Sequence, residues 1–276
     1  MTETDLATIA HTCQAMRRDI IEMVSQAGSG HPGGSLSAVE IVATLYGTTM
    51  RHDPENPALP DRDRFVLSKG HAAPVLYAAL AEHGYFPREE LATLRKLGSR
   101  LQGHPDMRKL PGVEVSTGSL GQGLALSNGM ALALRLRGES APTVFCLLGD
   151  GELQEGEVWE AAMLSAHYGL DNLVAVVDLN GLQIDGPTCE VMDLGNVPEK
   201  FAAFGWTVIT CDGHSLQELA GSFSRAKAAP GPAVIVARTM KGRGVSFMEN
   251  LCDWHGKAPN AEECATALAE LAEGSE

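Results

Sequence analysis

The chain lacks paired cysteines, basic stretches and long apolar runs, and each absence removes a class of protein. Its six cysteines stand at 13, 146, 189, 211, 252 and 264, and no two form a Cys-x-x-Cys pair. That spacing supports neither a zinc site nor a thioredoxin-like motif. Reduced thiols and a cytoplasmic location are expected. Lysine and arginine total 21 against 35 aspartates and glutamates, a net charge of −14 with no basic stripe to offset it. Nucleic acid is therefore not an expected partner. Glu262, Glu263, Glu270, Glu273 and Glu276 crowd the last residues as a solvated face or tail. No apolar run is long enough to cross a bilayer, so no membrane partner is expected. The opening Met1-Thr2-Glu3-Thr4-Asp5 is acidic and polar, unlike a signal peptide. No internal repeat, low-complexity tract or linker composition interrupts the 276 residues. One domain over 1–276 is expected, with 260–276 as a helical tail.

What is present alternates. Residues 5–26 carry apolar side chains at helical spacing (Leu6, Ile9, Ala10, Cys13, Met16, Ile20, Met23, Val24). Ser37 with Glu40 has the pattern of a capping box opening a helix Ala38–Tyr46. Short apolar runs at 65–67, 143–148, 173–179, 206–210 and 233–237 read as strands. Helices are expected at 72–81, 88–97, 124–136, 156–168 and 215–228 between them. Strands alternating with helices predict an α/β fold with a doubly wound, mainly parallel sheet flanked by helices. Residues 98–123 form a long glycine-rich loop that carries His104, Glu114 and Leu120, and it reads as a site wall rather than a linker.

Leu148-Gly149-Asp150-Gly151 ends one apolar run and Asn180 ends the next. Open α/β sheets bind ligands just beyond the carboxyl ends of their strands. Asp150 and Asn180 are hard oxygen donors suited to Mg²⁺. Gly149 and Gly151 let backbone approach a phosphate closely. Together they point to a metal-bridged diphosphate. His31, His71 and His104 each lie in a glycine- or proline-flanked loop, and His255 in Trp254-His255-Gly256-Lys257-Ala258-Pro259 has the same character. Such a set suits an anionic, multi-hydroxyl ligand, because neutral imidazole bonds hydroxyls and imidazolium pairs with phosphate. His11, His52, His83, His167 and His214 have no such company and read as structural or surface residues, and Glu157 as favourable charge at a helix start. Gly28-x-Gly30-x-x-Gly33 matches a dinucleotide fingerprint only formally, since it follows a helix and contains Pro32. Lys241-Gly242-Arg243-Gly244 lacks Walker spacing and reads as a mobile basic loop able to close on an anion.

Ser29-Gly30-His31-Pro32-Gly33, Arg64-Phe65-Val66-Leu67-Ser68-Lys69-Gly70-His71 and Gly103-His104-Pro105 resemble loops of the transketolase family. So do Pro111-Gly112-Val113-Glu114, Ser116-Thr117-Gly118-Ser119-Leu120-Gly121-Gln122-Gly123, Leu148 through Gly156, and Asp178-Leu179-Asn180. The motifs keep family order from about residue 25 to residue 259, and they cover only the amino-terminal third to half of a full-length member. The resemblance implies the N-terminal, thiamine diphosphate-binding subunit of a split transketolase. It implies that Asp150, Asn180 and the Leu182 carbonyl hold Mg²⁺, with Ca²⁺ or Mn²⁺ able to take its place. His71, His255 and the Gly151 backbone would contact the diphosphate. Gly118 and Leu120 would lie along the cofactor, and Ile184 would pack on the thiazolium. His31, His104 and His255 would surround the sugar atoms being transferred, and Glu155 would sit near a subunit interface. Thiamine diphosphate would carry the difficult chemistry while protein groups orient and move protons.

The family's pyrimidine-binding domain and the groups gripping a substrate's phosphate have no counterpart here. The resemblance thus implies that the partner is a separate C-terminal transketolase subunit, that the assembly is an α2β2 heterotetramer, and that sugar phosphates are the substrates. A two-carbon ketol unit would pass from a ketose phosphate to an aldose. Gly-Asp-Gly and Asn180 also fit a deoxyxylulose phosphate synthase-like or 2-oxoacid dehydrogenase-like component, and half a site fits a non-catalytic binding module.

Overall fold

The computed structural model describes residues 2–138 and 142–273. Among the described residues seven strands occur in chain order: β1 (Arg64–Leu67), β2 (Val144–Gly149), β3 (Leu173–Leu179), the short pair β4 (Leu182–Gln183) and β5 (Gly186–Pro187), β6 (Thr207–Asp212) and β7 (Ala233–Arg238). Five make one sheet in the order β1-β2-β3-β7-β6, parallel throughout, while β4 and β5 form a separate hairpin. The alternation inside each strand feeds two cores. Phe145, Leu147, Val174, Val176 and Ile235 join one cluster; Val144, Cys146, Leu148, Ala175, Val177 and Val234 join the other. With both faces buried, the central strands are apolar until Asp178 and Arg238 near the carboxyl ends of β3 and β7, which is why they read as nearly unbroken runs.

The helices are α1 (Glu3–Ala27), α2 (Pro32–Leu36), α3 (Val39–Thr44), α4 (Ala73–Glu82), α5 (Gln122–Leu136), α6 (Gly156–His167), α7 (Thr188–Val191), α8 (Val197–Ala203), α9 (Leu216–Lys227) and α10 (Ala261–Glu273). Helices α1, α3, α4, α9 and α10 contribute to the first cluster, and α5, α6 and α8 to the second. The α/β architecture with flanking helices is as expected. The tail expected over 260–276 is helical through Glu273, and 274–276 lie outside the described residues. Among the described residues no helix is long and apolar enough to cross a membrane.

Three expectations fail locally, each for a physical reason. No capping box opens the helix expected at Ala38–Tyr46. The Ser37 hydroxyl donates to Asp178 Oδ2 (2.6 Å), and Glu40 turns to Arg17 and His214. Helical structure instead starts at Pro32, breaks around Ser37 and ends in a wide turn over Leu45–Thr49. The helix expected at 88–97 is a short 3₁₀ segment, Arg88–Thr93. It stops because Leu94 is extended (ψ 128°) and Arg95 takes a left-handed backbone (φ 59°), its N–H donating to Leu101 O (2.8 Å). The long loop expected after β3 contains α7 and α8. Asn196 caps α8, with Pro198 in its first turn and Glu199 donating its N–H to Asn196 Oδ1 (3.2 Å), a start signal present in the sequence.

Candidate functional site

Strand register brings the chemistry to one edge. Leu67 lies beside Leu147, Gly149 beside Asp178, and Leu179 beside Arg238. Ser68-Lys69, Asp150, Asn180 and Thr239-Met240-Lys241 therefore leave the sheet together at its carboxyl edge. A cavity of about 210 Å³ opens there. Leu120, Gly149, Asp150, Gly151, Glu155, Asn180, Leu182, Ile184, His71 and His255, all singled out from sequence, line it.

Asp150 is 2% exposed. Its Oδ1 accepts from the Gly151 N–H (2.8 Å), and its Oδ2 from the Gly181 N–H. Burial, and then the nearby Asp178 carboxylate, push its acid up to about 6. A cation at this point would hold it ionised. Asn180 Oδ1 accepts from the Leu182 N–H (3.1 Å), and Leu182 O accepts from Lys241 Nζ (3.2 Å). One carboxylate, one amide and one carbonyl thus converge as hard oxygen donors. Among the described residues no three His, Cys, Asp or Glu side chains group to hold a metal, so a cation here would depend on amide, carbonyl and ligand oxygens as well.

The four singled-out histidines come together. His71 and His255 stack at 5.0 Å between ring centroids, His31 lies 5.5 Å from each, and His104 is 6.0 Å from His31. Burial holds His31 down to about 4 and His255 down to about 3, with Lys241 adding to the second. Burial, then Lys69, holds His71 well below its ordinary value; burial, then Arg95, lowers His104. Near neutral pH the cluster is uncharged imidazole, able to donate and accept. Gly118 lies under His104: a Cβ there would come within 2.9 Å of His104 Cδ2. The loop 98–123 is tied down by the Thr117 hydroxyl donating to Leu67 O (2.7 Å) and by the Tyr77 hydroxyl donating to Gln102 O (2.8 Å). Gly70 must be glycine, since a Cβ would meet Thr117 Oγ1 at 2.6 Å. Glu114 is not a wall residue. It pairs with Arg62 (Nη2 to Oε2, 3.0 Å) and Arg64 at the start of β1. Glu155 is exposed at the cavity's rim.

Three further charged residues, Lys69, Asp178 and Glu152, were given no role from the sequence, and a fourth, Lys241, was read only as part of a mobile loop. Lys69 and Asp178 form an ion pair at side-chain exposures of 2% and 0%. Lys69 Nζ also donates to Gly34 O (2.9 Å), and the Thr239 hydroxyl donates to Asp178 Oδ1. Burial would raise the Asp178 acid, but Lys69 and these donors hold it below its ordinary value. Buried Glu152 accepts from the Gly149 N–H (2.9 Å), the Gly121 N–H (3.0 Å) and the Ser68 hydroxyl, joining three site loops. Lys241, expected in a mobile loop, is 2% exposed, with Nζ 3.0 Å from His255 Nδ1. Its loop is docked by the Gly242 N–H on Gly33 O (3.0 Å). Burial, then Lys69, lowers its ammonium to about 8.

The other histidines do lie elsewhere. His214 bridges Glu40 Oε2 (3.0 Å) and the Met240 N–H (2.8 Å). His52 and His83 pack with Tyr46 and Tyr85. Burial lowers His83 to about 4. Its ordinary value, near 6.5, lies above that, so acidification protonates the unfolded chain first and stability is lost as pH falls from 6.5 towards 4. His83→Phe is expected to match wild type above pH 7 and to gain on it steadily through that window. Urea denaturation across the range checks this, and parallel curves would sink it.

Fold and site together define a thiamine diphosphate-binding α/β domain, and residues 8–273 match the family described as "Transketolase, thiamine diphosphate binding domain". The chain is 45% identical over 265 residues to the 6-deoxy-6-sulfo-D-fructose transketolase subunit SqwG of Clostridium sp. (strain MSTE9), covering 95% of this chain and 96% of that one. It is 42% identical to an apulose-4-phosphate transketolase subunit of Phocaeicola vulgatus, over 93% and 91% of the two chains. Human transketolase is 46% identical across 91% of this chain but only 40% of its own length. The crystal structure of transketolase from Campylobacter jejuni superposes with a TM-score of 0.90 at 34% identity, over 99% of this chain and 43% of that one. The chain belongs to the transketolase family and corresponds to its N-terminal, thiamine diphosphate-binding part.

Proposed function

We propose that the chain is one domain forming the cofactor-holding half of a two-subunit transketolase, which moves a two-carbon ketol unit from a ketose with an anionic terminus to an aldose. One observation carries the reading: Asp150 and Asn180 line one cavity with His71 and His255, and these two belong to a cluster of four uncharged imidazoles that His31 and His104 complete. Thiamine diphosphate, when bound, supplies the electron sink for carbon–carbon cleavage. Asp150, Asn180 and the Leu182 carbonyl would hold a divalent cation, Mg²⁺ by donor hardness. Lys241, His71, His255 and the Gly151 backbone would meet the diphosphate, and Leu120, Gly118 and Ile184 the cofactor's rings. His31, His104 and His255 are placed to donate to sugar hydroxyls and carry protons between them, a task for which imidazole uncharged near pH 7 is suited.

A second polypeptide is part of the proposal. The two relatives named as subunits are matched over 96% and 91% of their own lengths, whereas human transketolase is matched over 40% of its length. The cavity's outer rim is unfinished: Ile184 is 64% exposed and Glu155 is open to solvent, so a second polypeptide would complete the site, with Glu155 at the contact. Two such pairs would give an α2β2 heterotetramer. Six free cysteines fit a reducing, cytoplasmic location. The relatives named for 6-deoxy-6-sulfo-D-fructose and apulose-4-phosphate support an anionic ketose as donor. Mixing the chain with a polypeptide carrying the pyrimidine-binding half, thiamine diphosphate and Mg²⁺ is expected to give ketol transfer, and either polypeptide alone none. Inactivity of a verified pair, or full activity of this chain alone, overturns the reading.

A further inference from the structure

We propose that His214 is a positioning residue for the bound diphosphate: with Glu40 and Arg17 it clamps the loop that carries Lys241. The inference rests on the thiamine diphosphate reading of the cavity and extends it to three residues that do not line it. Lys241 needs a support outside itself. Its ammonium is buried in the cavity wall, and its two partners, Leu182 O (3.2 Å) and His255 Nδ1 (3.0 Å), are both uncharged. Lys69, a second buried cation, lines the same cavity. An ammonium kept from water without a bonded carboxylate is unfavourable, so other bonds must fix the backbone that holds it there.

The clamp has two jaws, one on each side of Lys241. On one side the Met240 N–H donates to His214 Nε2 (2.8 Å); on the other, Arg17 Nε donates to Arg243 O (3.2 Å). Glu40 joins them. Its Oε2 lies 3.0 Å from His214 Nδ1, and its Oε1 accepts from Arg17 Nη2. Because His214 Nε2 is an acceptor, the ring proton sits on Nδ1 and is donated to Glu40. Burial would raise the Glu40 acid, but His214 and Arg17 hold it below its ordinary value, so a carboxylate stands between them. The three side chains come from α1, α3 and the turn after β6, and each is mostly buried. His214 is itself held beside the loop. The Gly213 N–H donates to Arg238 O (2.7 Å), and the His214 N–H to Asp212 Oδ1 (2.8 Å). A Cβ on Gly213 would lie 2.4 Å from Thr239 Cγ2, so this turn packs directly on the exit of β7. A buried network whose bonds are all made holds one geometry, and here it is the one in which Lys241 lines the cavity with Asp150 and Asn180.

Two substitutions at 214 separate the two bonds of the imidazole. His214→Asn can keep the bond to Glu40 but is too short to reach the Met240 N–H, whereas His214→Gln can place its amide oxygen where Nε2 stood. In the reconstituted complex with Mg²⁺, His214→Asn is expected to raise Kd for thiamine diphosphate roughly 10-fold or more, the scale of one charged hydrogen bond lost. His214→Gln should stay within about three-fold of wild type, the scale of a neutral bond weakened. Isothermal titration measures both, and melting shows whether both are folded. Equal losses overturn the assignment, since a merely structural histidine would be missed alike in both. Should His214→Asn not fold, Glu40→Gln takes its place: it removes the charge between the jaws, the same loss of affinity is expected, and wild-type affinity overturns the clamp. Labelling supplies a readout without cofactor. Acetic anhydride, competing for Lys241 and the exposed Lys96 in the cofactor-free chain, should label Lys241 several-fold more in His214→Asn, or in the Glu40→Gln that replaces it, than in wild type. An unchanged ratio overturns the clamp. If the wild-type complex binds no thiamine diphosphate, the functional reading falls and the labelling ratio alone decides whether His214 holds Lys241 in place.

Discussion

Asp150→Ala is expected to weaken Mg²⁺-dependent thiamine diphosphate binding by more than about 100-fold, beyond the loss typical of a group that merely supports a metal ligand. The carboxylate is the only charged donor in the proposed set, so its removal leaves an amide and a carbonyl to hold a divalent ion against a diphosphate. It also leaves the Gly151 and Gly181 N–H groups without their acceptor. Each buried orphan costs about 1–3 kcal/mol, so some loss of stability must be separated from loss of binding. Asp150→Asn makes that separation, because an amide oxygen keeps one of the two bonds while the negative charge is gone. Isothermal titration with cofactor, Mg²⁺ and the second polypeptide gives the affinities, and thermal melting shows whether the variants are folded. A folded Asp150→Asn complex that keeps wild-type affinity would remove Asp150 from the metal site.

Lys69→Met is expected to cost about 3–5 kcal/mol of stability, the usual consequence of stranding one member of a buried ion pair. For a chain of this size that lowers the melting temperature by roughly 6–20 °C. Asp178 is fully buried, so its carboxylate would have only the Ser37 and Thr239 hydroxyls as partners. Removing both charges in Lys69→Met/Asp178→Leu should return much of the stability, because the desolvation of two ions disappears with their attraction. The double variant should still lose cofactor affinity, since Lys69 lines the cavity and Asp178 fixes the exits of β3 and β7. Melting curves for the wild type and the two variants decide the matter. A single variant within about 1 kcal/mol of wild type would mean that the pair is not what holds this edge together.

The legible parts of the molecule were those whose cause is local. Strands buried on both faces are apolar over nearly all their length, and Asp150 and Asn180 stood at the ends of two such runs. Histidines in glycine-flanked loops were visible as a group, though their convergence into one cluster is tertiary. What stayed hidden depends on contacts between distant segments. Ser37 looked like a helix cap because its competitor, Asp178, lies 141 residues away. Lys69 and Asp178 are 109 residues apart, and neither alone signals a buried pair. Lys241 read as mobile because nothing near it in sequence shows Leu182 O and His255 waiting for its ammonium. The helix expected at 88–97 failed at Arg95, where a left-handed backbone is carried by a residue that does not advertise it. Helix α8 was legible and overlooked, since Asn196, Pro198 and Glu199 mark its start.

The strand order also sets a schedule for synthesis. β7 is inserted between β3 and β6, so β6 has no hydrogen-bonded neighbour until a strand made after it has arrived. A nascent chain that has emerged as far as Asp212 holds a three-strand sheet and a fourth strand with nowhere to pair. Closing the sheet then delivers Thr239 to Asp178, and the chain just beyond brings Lys241 and His255 to His71 and His31, made long before. The cofactor cavity is among the last things the ribosome's product can complete, and a molecule able to hold the cofactor is one whose sheet has already closed.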